Sequence, residues 1–420
     1  MSDFFLDLPK ARRAGRRMGI TSVCSAHPAV IRATFRHGKA GTEPVLIEAT
    51  CNQVNQDGGY TGMTPADFRR FVLAIAAEEG FDAGRIIFGG DHLGPNPWRK
   101  LAADEALAKA EAMVAAFVAA GFSKIHLDAS MGCLGEPEAL DDEVTAHRAA
   151  RLAAAAERAA QQAGLPPPVY VIGTEVPTPG GATHALDHLE PTSAAAAKKT
   201  IAIHRDVFAE AGLEAAFARA IGIVVQPGVE FGHESVVCYQ PERARALIAV
   251  LDGEPDFIFE AHSTDYQPVD RLAALVGDGF SILKVGPGLT FALREALYGL
   301  DLIAAELDPA YRGRPLAEAM EALMLAEPKN WQSHYPGTAE EQHLLRHYSY
   351  SDRIRYYWPH PRAEAALTRL MAAMGGRTIP ETLVSQFLPR AASAGPLTAE
   401  GHVSFAVEQV LADYTAAIRG

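Results

Sequence analysis

Glu260 and His262 stand two residues apart in the run Phe257-Ile258-Phe259-Glu260-Ala261-His262-Ser263-Thr264-Asp265. In an extended strand that spacing puts both side chains on one face, so a carboxylate and an imidazole point together into whatever that face lines. Similar groups close other β-branched or apolar runs: Asp91-His92 after Gly89-Gly90, His126 and Asp128 after Ile125, Glu175 after Thr174, and Gln226 and Glu230 around Pro227-Gly228. Carboxylates and imidazoles move protons near neutral pH and also hold zinc or manganese. The acid/base candidates are Asp91, Asp128, Glu175 and Glu260. His92 and His262, with Glu230 or Glu175, form a candidate divalent-metal set, and the same two histidines could instead hydrogen-bond substrate hydroxyls.

A second group of residues suits binding. Lys284-Val285-Gly286-Pro287-Gly288-Leu289-Thr290 is a glycine turn entering a helix, where backbone N–H groups and the helix N-terminus favour an anion. The formal net charge of the chain is −13, so any phosphate needs such a local positive site, and Lys284, Gly286 and Gly288 are expected to supply it. Glu48, Asn52, Gln226, Ser263 and Asp265 offer hydrogen bonds to a polyol. The aromatic and basic stretch 347–359 contains Arg353 and Arg355; its aromatics read either as core or interface, or, with Arg353 and Arg355, as a lid that reaches phosphate.

Positioning these groups requires a repeated scaffold. From residue 20 to about 307 one unit recurs: a short β-branched run, a polar or glycine-rich break, and a long Ala- and Leu-rich helical segment. The expected strands are 20–24, 45–50, 85–90, 124–130, 170–175, 221–226, 256–262 and 282–285. Eight consecutive units favour a closed parallel (β/α)8 TIM barrel over a doubly wound sheet, and catalytic groups on that fold lie at the strand C-termini. The barrel is expected over residues 1–307 and a C-terminal helical extension packed on it over 308–420, where the rhythm fails. Thr64-Pro65-Ala66-Asp67 reads as a helix start, with proline where no hydrogen bond is lost. The tracts 153–156 and 194–197 read as outer-ring helix, since alanine is the best helix former.

Composition removes other classes. The acidic balance repels nucleic acid and anionic membrane, and no run of about 18 apolar residues suggests a membrane span. Arg12, Arg13, Arg16 and Arg17 precede too short and polar a stretch for a secretory signal. Cys24, Cys51, Cys133 and Cys238 are scattered, as expected of reduced thiols in a cytoplasmic protein. No Gly-x-x-x-x-Gly-Lys-[Ser/Thr] loop is present, which argues against nucleotide phosphoryl transfer.

Taken together, Ser25-Ala26-His27-Pro28 and the segments 47–52, 58–68, 89–96, 124–128, 173–181, 224–231, 259–267, 284–286, 289–296 and 348–359 resemble the accessory, non-catalytic subunit family of class II tagatose-bisphosphate aldolases. That family includes tagatose-6-phosphate 4-epimerases, and some members carry an old kinase label. The resemblance covers essentially the whole chain. It implies a phosphorylated ketohexose substrate, with D-tagatose 6-phosphate and D-fructose 6-phosphate interconverted by metal-assisted retro-aldol chemistry. Its alternative implication is a subunit that stabilises a separate class II aldolase polypeptide. The family in turn looks related to the catalytic class II aldolases. That relation implies a zinc-binding role for His92, proton transfer by Asp91, an acidic position near the metal at Glu175 and a late histidine ligand at His262. At the end of the sixth strand this sequence departs from them, with Gln226 and Glu230 and no further histidine. A homo-oligomer is expected.

Overall fold

The computed structural model describes residues 2–173 and 189–420. Eight strands form its centre: β1 (Ile20–Val23), β2 (Val45–Thr50), β3 (Ile86–Leu93), β4 (Lys124–Leu127), β5 (Val169–Ile172), β6 (Ala220–Val224), β7 (Ile258–Ala261) and β8 (Phe280–Val285). Each pairs in parallel with its neighbour in sequence, and β1 closes the barrel against β8, with Ile20 opposite Ile282 and Val23 opposite Val285. The expected (β/α)8 barrel is therefore found.

The strands differ in extent from the sequence reading. β3 runs three residues past its expected end, with an irregularity between Gly90 and Leu93 where His92 takes φ 50°. β4 and β7 stop at Leu127 and Ala261, so Asp128 and His262 sit just beyond regular pairing. Polar groups that must meet across the barrel mouth leave the ladder to do so, and sequence periodicity carries no sign of that departure.

Alternation along the strands stacks the interior in layers. The lowest layer contains Leu46, Ile87, Ile258 and Ile282, all buried. The N-terminal helix Ser2–Arg13 plugs this end, placing Phe5 and Leu8 against those residues together with Val169, Val171 and Ile221. Two residues further along the same strands come Glu48, Gly89, Glu260 and Lys284, with Lys124 paired to Gly89 in the same layer. The layer above holds Thr50, Asp91, His126 and His262.

Local sequence sets the helix starts. Thr64 and Asp67 form a reciprocal capping box with Pro65 in the first turn of Pro65–Glu79. The alanine tracts lie in the helices Asp142–Ala163 and Ala194–Glu210, with their inner faces buried. Beyond Leu307 come five further helices, Pro315–Ala326, Ala339–Tyr348, Pro361–Met374, Glu381–Phe387 and Ala399–Arg419. The last packs against Pro28–Gly38, Val269–Gly277, Pro287–Leu307 and β1. From it the Tyr414 hydroxyl donates to the Thr264 carbonyl at 2.9 Å, which ties the C-terminal helix to the loop after β7. Among the described residues no helix is long and apolar enough to cross a membrane.

Phe5 is fully buried, so Phe5→Ala should lower unfolding free energy by about 3–5 kcal/mol, the usual loss for an aromatic in a filled core. Urea denaturation measures it; a loss below about 1 kcal/mol would mean that the helix is a loose cap and not part of the core.

Candidate active site

A layer of buried charge underlies the barrel mouth. Lys124 Nζ lies 2.7 Å from Glu48 Oε1 and 2.5 Å from Glu260 Oε2, with all three side chains fully buried. Lys284 Nζ contacts Glu48, lies 2.7 Å from Asp91 Oδ1 and 3.7 Å from Glu260 Oε1. Gly89 makes room for this arrangement, because a Cβ there would sit 2.4 Å from the Glu48 carboxylate. Burial alone would raise the carboxyl pKa values of Asp91 and Glu260. The lysine charges, Lys284 at Asp91 and Lys124 then Lys284 at Glu260, hold both well below the usual carboxylate range.

Above this layer three imidazoles converge, with ring centroids 4.7 Å apart for His92 and His262, 4.9 Å for His92 and His126, and 5.3 Å for His126 and His262. Each ring is held from behind. His92 Nδ1 bonds Asp128 Oδ2 at 2.8 Å, His262 Nε2 bonds Glu260 Oε1 at 2.9 Å, and His126 Nε2 bonds the Gly173 carbonyl at 3.0 Å. Those bonds fix the tautomers and turn His92 Nε2 and His262 Nδ1 inward. His126 Nδ1 accepts the His92 backbone N–H at 3.2 Å. Burial, reinforced by His92, lowers the His262 pKa to about 3, so its ring is neutral at pH 7 and its inward nitrogen keeps a lone pair.

Asp91, His92, His126 and His262 each offer a ligand atom within 4.8 Å of the others. Imidazoles beside a carboxylate, braced by hydrogen bonds to their far nitrogens, form a donor set suited to a divalent transition ion. The residues therefore fit the metal expected from the sequence.

The cavity over this cluster is lined by Cys24, Thr50, Asn52, Gln53, Tyr60, Asp91, His92, Phe231, His262, Ser263, Asp265, Lys284, Val285, Gly286, Pro287, Arg355 and Tyr356. His92 and Ser263 both hold positive φ, 50° and 51°, a backbone state costing on the order of 1–3 kcal/mol for residues other than glycine. Two such residues at one cavity mark it as a functional site.

Several sequence expectations change here. Glu48 and Glu260 lie beneath the cavity and brace the lysines and His262, and neither is among the residues that line it. Asp128 orients His92 from behind. Lys284 lines the cavity, but its ammonium is engaged by Glu48, Asp91 and Glu260. The Gly286 and Gly288 N–H groups donate to Asp265 Oδ1 at 2.9 and 2.7 Å, so a carboxylate of this chain already fills the expected phosphate cradle. Asp265 is pushed up to about 6 by burial, against those two hydrogen bonds.

Gln226 caps a turn, its Oε1 accepting from Gly228 and Val229 N–H at 2.7 and 2.8 Å. Glu230 lies outside the histidine cluster. Its Oε1 accepts the Phe231 N–H at 2.9 Å, and burial raises its pKa to about 7. Arg353 is buried, with its guanidinium on the Asn330 carbonyl and stacked on Tyr356, while Arg355 lines the cavity. Asn52, Ser263 and Asp265 line it. Glu175 lies outside the described residues. His126 was not expected as a ligand; the two-residue alternation that paired Glu260 with His262 also pairs His126 with Asp128 and Lys124, and is the signal that finds it.

A family model described as D-tagatose-1,6-bisphosphate aldolase subunit GatZ/KbaZ-like matches residues 5–419. The chain is 62% identical over 420 residues, 99% of each protein, to the D-tagatose 6-phosphate 4-epimerase of Agrobacterium fabrum. It is also similar to a crystal structure from Sinorhizobium meliloti described as a probable tagatose 6 phosphate kinase. That match has a TM-score of 0.89 and 58% identity, over 95% of this chain and all of that one. The glycerol-complexed fructuronate-tagaturonate epimerase UxaE of Cohnella laeviribosi shares the fold alone, at a TM-score of 0.50 and 13% identity over 96% of this chain and 81% of that one.

Lys124→Met would strand Glu48 and Glu260 next to an apolar side chain. Breaking a buried pair costs about 3–5 kcal/mol, so the variant should unfold at markedly lower urea. The triple variant Lys124→Met, Glu48→Gln, Glu260→Gln should recover part of that loss; no recovery would mean that Lys124 acts by its volume and not by its charge.

Proposed function

Because the chain belongs to the GatZ/KbaZ-like family of D-tagatose-1,6-bisphosphate aldolase subunits, we propose that it interconverts D-tagatose 6-phosphate and D-fructose 6-phosphate by retro-aldol chemistry in the barrel mouth. The observation that carries this reading is the cluster of Asp91, His92, His126 and His262, in a chain 62% identical to a protein named for that epimerisation. His92, His126 and His262 would hold a divalent ion, zinc or manganese, and Asp91 stands beside them. When bound, such an ion supplies Lewis-acid polarisation of the substrate carbonyl.

The residues of the chain do the rest. Asp91 Oδ1 is taken by Lys284, and Oδ2, which the Cys24 thiol approaches at 3.8 Å, would take the proton of the hydroxyl at the fourth carbon. Proton loss from that hydroxyl forms the aldehyde as the bond between the third and fourth carbons breaks, and the electron pair passes into the enediolate of the three-carbon fragment. The aldehyde turns its other face, the bond re-forms, and a proton returns to the new alkoxide. Glu175 assists this return on the proposed scheme. Asp128 and Glu260 fix the faces of His92 and His262. Asn52 and Ser263, which line the cavity, would bond substrate hydroxyls.

Phosphoryl transfer has no comparable support, since the sequence holds no nucleotide phosphate loop. The family description does favour a second reading, in which the chain stabilises a separate aldolase polypeptide.

In deuterated water the pure, metal-loaded chain should give product without deuterium at the fourth carbon, because that hydrogen never leaves. Stoichiometric deuterium there, read by NMR, would replace the retro-aldol route with proton abstraction. Asp91→Asn should lower turnover by about 10²–10⁴-fold, the usual general-base contribution. Chelator dialysis is expected to abolish turnover and zinc or manganese to restore it. Undiminished turnover with substoichiometric metal by elemental analysis refutes the metal. No conversion by the pure chain, with stabilisation of a co-expressed aldolase, hands the case to the accessory reading.

A further inference from the structure

The proposed substrate carries a phosphate dianion, and the glycine turn expected to receive it is filled by Asp265. Among the described residues lining the cavity, the cations are Lys284 and Arg355, and Lys284 already faces Glu48, Asp91 and Glu260. We propose that Arg355, presented by the strap between the helices Ala339–Tyr348 and Pro361–Met374, reads the phosphate monoester of the substrate; this rests on the ketohexose-phosphate reading above.

A guanidinium has five N–H donors. Arg355 Nη1 donates to the Ser351 and Asp352 carbonyls, and Nη2 to the Tyr356 hydroxyl at 2.9 Å. Its Nε–H and one Nη2–H have no bond among the described residues. These two nitrogens flank the edge that guanidinium uses for bidentate recognition of phosphate.

The strap is anchored so that Arg355 stays at the cavity. Asp352 holds φ 45°, and its Oδ2 accepts the Thr290 hydroxyl at 2.6 Å, joining the strap to the helix that follows β8. Tyr356 packs under the Arg355 guanidinium, 4.4 Å from the ring centroid, and edge-on against Tyr60 from the loop after β2, with centroids 5.0 Å apart. A cation held by its own backbone carbonyls and an aromatic face, at the rim of a cavity in a chain of net charge −13, is what an anionic substrate group requires.

Steady-state kinetics with D-tagatose 6-phosphate and free D-tagatose, together with calorimetric titration of inorganic phosphate, test this on the full chain. Arg355→Gln should raise KM for the phosphorylated sugar by about 10- to 100-fold, the range for a lost hydrogen bond to a charged group. It should change any turnover of free sugar far less than that of the phosphorylated sugar, and abolish phosphate binding. Arg355→Lys should fall between, keeping charge without the fork, and it serves as the reading if Arg355→Gln does not fold. Equal losses on both sugars, or phosphate binding that survives the substitution, overturn the proposal. If the wild-type chain turns over no ketohexose phosphate yet binds phosphate through Arg355, the epimerase reading falls and the phosphate site stands.

Discussion

Everything at the barrel mouth depends on two lysines buried among carboxylates. Lys124 and Lys284 share Glu48 and Glu260 in a layer that solvent does not reach, and Lys284 extends the network to Asp91. Such a layer is a poor means of gaining stability, because desolvating several charges offsets most of their attraction, and apolar replacements often do as well or better. Its effect is positional. Glu260, fixed between the lysines, fixes His262, and Lys284 fixes Asp91, so the two groups that face the cavity inherit the rigidity of the charges below. The apolar plug of Phe5 and Leu8 seals the other end of the same layer, keeping water from weakening the attraction.

Rigidity below is matched by strain above. His92 and Ser263 hold backbone conformations that side chains disfavour, each just where a strand leaves regular pairing at the edge of the cavity. Asp128 secures His92. The loop carrying Ser263 is held at Thr264, whose hydroxyl meets the Lys284 carbonyl and whose carbonyl receives Tyr414. Strain of this kind persists only when its surroundings over-determine it, and here the C-terminal helix provides part of that constraint from a hundred and fifty residues away in sequence.

The barrel was legible in the sequence because its eight strands are apolar, short and followed by helical segments, a pattern that depends on neighbours in the chain. Alternation even located Glu260 and His262 on one face. What the sequence did not give up were pairings across the barrel. Lys284 and Gly286–Gly288 look like a phosphate site in one dimension, and only the fold brings Glu48, Asp91 and Asp265 to occupy both halves of it. Glu48 and Glu260 read as site residues because they are acidic, whereas their depth, one layer below the mouth, follows from strand stagger. His126 was hidden differently: it lies in mid-strand, where a lone histidine resembles core, until His92 and His262 converge on it.

The C-terminal segment then acquires a reason to be where it is. On the proposed reading, a cleavage that is to be reversed on the opposite face must keep both fragments together while one turns, so the site would need walls that admit rotation without release. The loop after β2 and the strap supply two walls that touch through Tyr60 and Tyr356, and the strap is bonded to the helix following β8 through Asp352. On the proposed reading, a phosphate held at Arg355 would anchor the aldehyde fragment by the end remote from its reacting carbon. That anchor leaves rotation about the intervening bonds open and opposes escape, which is the condition that separates epimerisation from net cleavage.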